Sequence, residues 1–85
     1  MKKLTLKTLK EIIKKDFIIS DFKAIHQENK TIYIIYPFYM AKLVYSDVTQ
    51  WGVILYGEIM TMNAKKYVQL CDKLEGFYIG EKNGL

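Results

Sequence analysis

Apolar and polar positions alternate along this chain in two different rhythms. Over residues 5–15, Leu6, Leu9 and Ile13 recur at the i, i+3, i+7 spacing of one helix face. Ile12 widens that stripe, and Lys7, Lys10 and Lys14 fall on another side. Thr5 is an N-cap residue type, and Thr8 with Glu11 repeats the capping-box spacing one turn later. The spacing predicts a helix over 5–15. Residues 17–27 read as extended, with a break at Ser20-Asp21, and the polar 27–30 as a hairpin turn in which Asn29 tolerates a left-handed conformation. Residues 31–36 are dense in Ile and Tyr and predict a strand. Pro37, with no amide hydrogen to donate, marks a strand end, a bulge or an edge. Strand continues over 38–45, a turn covers 46–50, and a further strand runs over 51–60, where Gly52 and Gly57 permit bending or close backbone approach. A second helix is predicted over 63–75, with Asn63 as its N-cap, Ala64, Tyr67, Val68, Cys71 and Leu74 on one face, and Gly76 at C′. Residues 77–79 form a short strand and 81–85 a loose tail in this reading.

The order predicts an α+β domain spanning 1–85: an N-terminal helix, a three- to four-stranded antiparallel sheet, and a second helix near the C-terminus. Two short helices pack most economically on one sheet face. The other face should then be wet, and its strands should alternate apolar and polar. They do not. Ile32-Tyr33-Ile34-Ile35-Tyr36, Phe38-Tyr39-Met40-Ala41 and Val53-Ile54-Leu55-Tyr56 are apolar at successive positions. The second face is therefore expected to be covered by another element, a second copy or a partner.

Composition narrows the class. The 85 residues are 51% hydrophobic, which excludes a disordered chain. Cys71 is the single cysteine, so neither a disulfide framework nor a multi-cysteine zinc site can form, and a reduced, cytoplasmic setting is expected. The longest uncharged apolar run, 32–41, is half the length of a membrane-spanning helix and contains Pro37, so no membrane association is expected. The net charge of +4 arises entirely within residues 1–23, where seven lysines face Glu11, Asp16 and Asp21. There is no arginine, the residue best suited to bidentate phosphate contacts.

Candidate chemistry is sparse. His26 is the single histidine and has no metal-ligand spacing around it, and Cys71 falls on the apolar stripe of the second helix, where a thiol behaves as a small hydrophobe. No Gly-rich phosphate loop occurs. Carboxylates are few and scattered; Asp47 and Glu58 could approach each other across the third and fourth strands, but a solvated position is the default for both. No catalytic residue, metal or cofactor is expected. Aromatics remain: Tyr and Trp are enriched at protein–protein hot spots. Tyr33, Tyr39, Tyr45 and Trp51 are accordingly the candidate anchors for a protein partner, with their facing dependent on the register that Pro37 sets. The alternative is a nucleic-acid-binding face made of Lys3, Lys7, Lys10, Lys14 and Lys15, which a solvated helix face accounts for equally well. Homodimerisation through the apolar sheet face is compatible with either.

In size and architecture the chain resembles small phage or mobile-element proteins that act by binding, including inhibitors of bacterial defence or replication enzymes such as anti-CRISPR proteins. That resemblance rests on no motif. It implies a non-catalytic inhibitor or regulator that occludes a partner's working surface.

Overall fold

A computed structural model describes residues 1–80. The chain runs β1 (Lys2–Lys3), α1 (Leu6–Lys14), β2 (Ala24–Glu28), β3 (Thr31–Ile35), β4 (Tyr39–Ser46), β5 (Gln50–Gly57), α2 (Thr61–Lys73) and β6 (Phe77–Tyr78). This is the α+β arrangement expected, with a four-stranded antiparallel meander ordered β2-β3-β4-β5. The expected tail, 81–85, lies outside the described residues.

Local signals set several boundaries. The Thr5 hydroxyl accepts the Thr8 amide at 3.2 Å and caps α1, so the capping-box spacing of Thr8 and Glu11 is not used. Asn29 has φ 54°, the left-handed turn conformation its side chain tolerates. Pro37 and Phe38 form the tight turn between β3 and β4, closed by the Tyr36 amide donating to the Tyr39 carbonyl at 2.9 Å. Gly57, at φ +94°, ends β5. A Cβ there would lie 2.6 Å from the Phe38 carbonyl oxygen, so this position requires glycine for both conformation and space. Gly52, by contrast, faces open space. Gln50 is the other left-handed residue, at φ 65°, and its buried Oε1 has no hydrogen-bond partner among the described residues.

Four local expectations are corrected. Helix α2 starts at Thr61, before Asn63, and Met60 occupies its N-cap without a side-chain bond. Its buried stripe takes in Leu70 beside Tyr67 and Leu74, and leaves Val68 exposed. Its C-cap is Leu74, so Gly76, at φ +91°, stands one place beyond C′. Lys2–Lys3, expected as part of no element, pairs in parallel with Phe77–Tyr78.

The sheet register sorts the apolar residues into two faces. Ile25, Ile34, Ala41 and Leu55 form one cross-strand row, and Gln27, Ile32, Leu43 and Val53 the next. These rows point inward. They bury against Leu9 and Ile13 of α1, against Tyr67, Leu70 and Leu74 of α2, and against Leu4, Ile19 and Ile79. An ion pair also ties α2 to the segment just after α1: Lys66 Nζ lies 3.2 Å from Asp16 Oδ2. The Ile18 amide, bonded to Asp16 Oδ1 at 2.9 Å, is the main reason that the Asp16 carboxyl is held below its ordinary value. A clasp joins the two ends of the described chain. Leu4 N–H donates to the Tyr78 carbonyl (2.8 Å), Trp51 Nε1–H to the Phe77 carbonyl (3.2 Å), and Gln27 Nε2–H to the Gly80 carbonyl (2.9 Å).

Candidate functional site

Among the described residues, no element lies over the other sheet face. Its rows are Ala24, Ile35, Met40 and Tyr56; then His26, Tyr33, Lys42 and Ile54; then Glu28, Thr31, Val44 and Gly52. The first row is wholly apolar or aromatic. Ile54 is 45% exposed and Tyr56 47% exposed, while Tyr33, Ile35, Met40 and Val44 are half-buried by one another. In the second row the His26 imidazole stacks on the Tyr33 ring at 4.9 Å and 18°, and Lys42 Nζ lies over the same ring, 5.9 Å from its centroid. One cation–π contact and one stacked pair thus fix Tyr33 in place before anything binds. The non-alternating strands are explained: one set of apolar positions builds the core, and the interleaved set builds an outer face that retains an aromatic and aliphatic surface.

The structure separates the four candidate anchors. Tyr33 alone lies on the outer face. Tyr45 (5% exposed) and Trp51 (8%) face the core, where their rings pack at 5.2 Å and the indole N–H is committed to Phe77. Neither can contact a partner without unfolding the sheet end. The register is the reason: inward pairing of Ala41 and Leu43 forces Tyr45, two residues on, to the same side. Tyr39 also faces inward, at the edge of the core. Its ring stacks on Tyr36 at 4.2 Å, and Asn63 Nδ2 donates to its hydroxyl at 3.2 Å. Two residues that the sequence reading did not single out, Ile54 and Tyr56, take the places of Tyr45 and Trp51 on the outer surface. The unbroken apolar run Val53-Ile54-Leu55-Tyr56 showed that apolar residues fall on both faces, but only a fixed register says which of them face outward.

The candidate lysines occupy another surface. Lys7, Lys14 and Lys15 are exposed and Lys10 half-buried on α1, and Lys3 is exposed in β1. Helix α1 covers the inner face, so its solvent side lies across the domain from the outer sheet face. None of these lysines belongs to the ion pairs among the described residues, which are Lys30–Asp47 and Lys66–Asp16.

The remaining titratable groups do not converge. Asp47 pairs with Lys30 at 3.2 Å in the β4–β5 turn, and Glu58 stands at the opposite end of β5. Burial pushes the Cys71 thiol above its ordinary value, and the Asp72 charge adds to that shift. Among the described residues, no three His, Cys, Asp or Glu side chains are placed to hold a metal ion, and no helix is long and apolar enough to cross a membrane. Comparison with protein-family models, with curated proteins and with solved structures finds no match for this chain.

Proposed function

We propose that this protein is a small, non-catalytic binding module whose working surface is the outer face of the β2-β3-β4-β5 sheet. It acts as an inhibitor or regulator by covering the surface of an acidic partner protein. The observation that carries this reading is the solvent-facing apolar row of half-buried Ile35 and Met40 and exposed Tyr56, flanked by Tyr33 and exposed Ile54, on a sheet face that would ordinarily be polar. Lys42, in the middle of the face, favours a partner with an acidic group opposite it. The proposal places the module in a bacterial cytoplasm, in the phage or mobile-element manner that its size and build resemble.

The test is capture by the tagged chain from a nuclease-treated bacterial lysate, run beside an Ile54→Ser, Tyr56→Ala double variant. Both side chains are already half in water, so the variant should fold with a stability change within about 1 kcal/mol. Affinity for the captured protein should fall by roughly thirtyfold or more, the size of a hot-spot loss. Equal capture by both proteins would reject the outer face. A wild-type mass that doubles with concentration while the variant stays monomeric would put a second copy there instead.

A second reading rests on Lys7, Lys10 and Lys14, which share the solvent side of α1 and have no ion pair among the described residues. On this reading they contact a nucleic-acid backbone. Binding to duplex DNA should then weaken steeply with salt, and each lysine changed to glutamine should lower the log–log slope by about one. A salt-independent signal would exclude it. Because the two surfaces lie on opposite sides of the domain, neither set of variants disturbs the other reading.

A further inference from the structure

At the end of the sheet where β3 turns into β4, a cavity of about 250 Å³ opens to solvent on the inner side. Four segments build it: the connection from α1 to β2, the Pro37-Phe38 turn, the exit from β5 after Gly57, and the first turn of α2. The close approach of Gly57 to the Phe38 carbonyl, locked by the Glu58 amide donating to that same oxygen at 2.9 Å, fixes the turn against the β5 exit. The cavity is therefore part of the frame.

Its chemistry is the reverse of the molecule's. The protein is basic, yet no lysine lines this cavity, whereas Asp21 and Glu58 both do. Neither carboxylate belongs to an ion pair among the described residues. The walls are aromatic and aliphatic. Tyr36 and Tyr39 stack in parallel, and Phe38 (76% exposed) and Met60 (73% exposed) stand at the mouth. Exposed apolar side chains beside two free carboxylates suit a ligand with an apolar stem and a cationic head. The volume lies below the roughly 300–1,000 Å³ of small-molecule sites and suits one inserted side chain.

We propose that this cavity receives the side chain of a lysine from a partner protein. The ammonium is held between Asp21 and Glu58 against the aromatic rings, and the methylene stem lies along Phe38 and Met60. The proposal goes beyond the sheet-face reading and does not depend on it, since the cavity opens at the sheet end and shares no residue with the outer rows.

The experiment is an NMR titration of the full ¹⁵N-labelled chain with Nα-acetyl-lysine-N-methylamide, and with its norleucine and arginine counterparts. Norleucine keeps the stem and removes the ammonium. The lysine compound should shift the amides of Phe38, Tyr39 and Glu58 with a dissociation constant on the order of 1–10 mM. The norleucine compound should bind at least about tenfold more weakly, as the loss of a charge-assisted contact requires. An Asp21→Asn, Glu58→Gln double variant, altered only at two exposed side chains, should remove the difference between the two compounds. Equal binding of norleucine, preference for arginine, shifts mapping elsewhere, or no shifts at all would each overturn the assignment. Lysate capture dependent on Ile54 and Tyr56 would stand unchanged by any of these results.

Discussion

Tyr67→Ala is expected to remove about 3–5 kcal/mol of stability, the range for deleting a fully buried aromatic side chain. The whole domain has about 4–13 kcal/mol by per-residue scaling, so this single change removes a large share of the total and should lower the urea midpoint sharply. Tyr67 is fully buried, and its ring stands edge-on to both Tyr36 (6.2 Å, 87°) and Tyr39 (6.4 Å, 83°). It is the contact through which α2 reaches the β3–β4 turn. The Tyr36 hydroxyl donates to the Ile19 carbonyl at 2.7 Å, so the Tyr67 hydroxyl supplies the proton in its own bond to Tyr36. Tyr67→Phe keeps the ring and deletes that one donor, while Tyr36 keeps Ile19. It should cost only about 1 kcal/mol. Urea unfolding followed by circular dichroism separates the two. A mild Tyr67→Ala would mean that the cluster is not what holds α2. A Tyr67→Phe as damaging as Tyr67→Ala would mean that the hydroxyl pair, rather than the rings, carries the effect.

The same pair should make the protein sensitive to alkali. Burial is the main cause that pushes both phenols above the ordinary value of 10.0, and at Tyr67 the bond donated to Tyr36 adds to it. A folded-state pKa above the unfolded one means that the folded chain holds protons that the unfolded chain releases. The stabilisation is complete below pH 10 and is lost as pH climbs above it. The folding constant should fall up to about tenfold per pH unit for each such tyrosine, and so up to about a hundredfold per unit while both remain protonated. Tyr36→Phe should lower that slope by up to about one tenfold step per pH unit, leaving the contributions of Tyr67, Tyr39 and Cys71, which burial also raises. Urea midpoints measured at intervals from pH 9 upward give the test, and a slope unaltered by Tyr36→Phe would show that other groups cause the alkaline loss.

What the sequence made legible is whatever neighbours within a few residues decide. Thr5 caps α1 because Thr8 lies three positions away. Asn29 turns the first hairpin through its own backbone preference. The start of α2 was not legible because Asn63 has a distant partner: its amide serves the Tyr39 hydroxyl. Val68 and Leu70 exchanged roles because both fit an apolar stripe on α2, and only the position of the sheet fixes the helix's rotation. Apolar positions on both sides of the strands correctly implied two apolar faces. The assignment of Tyr45 and Trp51 to the core, and of Ile54 and Tyr56 to the surface, depended on one unit of strand register. The cavity at Asp21, Tyr39 and Glu58 gave no sequence signal, since its lining is drawn from four separate segments.

The clasp of Lys2–Lys3 against Phe77–Tyr78 bears on the order of events during synthesis. The three hairpins of the meander join strands that are neighbours in sequence and can close as each emerges from the ribosome. Until Phe77 to Gly80 emerge, the Trp51 indole N–H lacks its native carbonyl, the Gln27 amide has only that of Asn29, and Leu4 lacks its backbone partner. The first strand of the chain thus waits for the last. A nascent chain halted before Phe77 would hold a formed meander with an unlatched segment at Lys2–Leu4, open to proteases and chaperones, and emergence of Phe77 to Gly80 would close it.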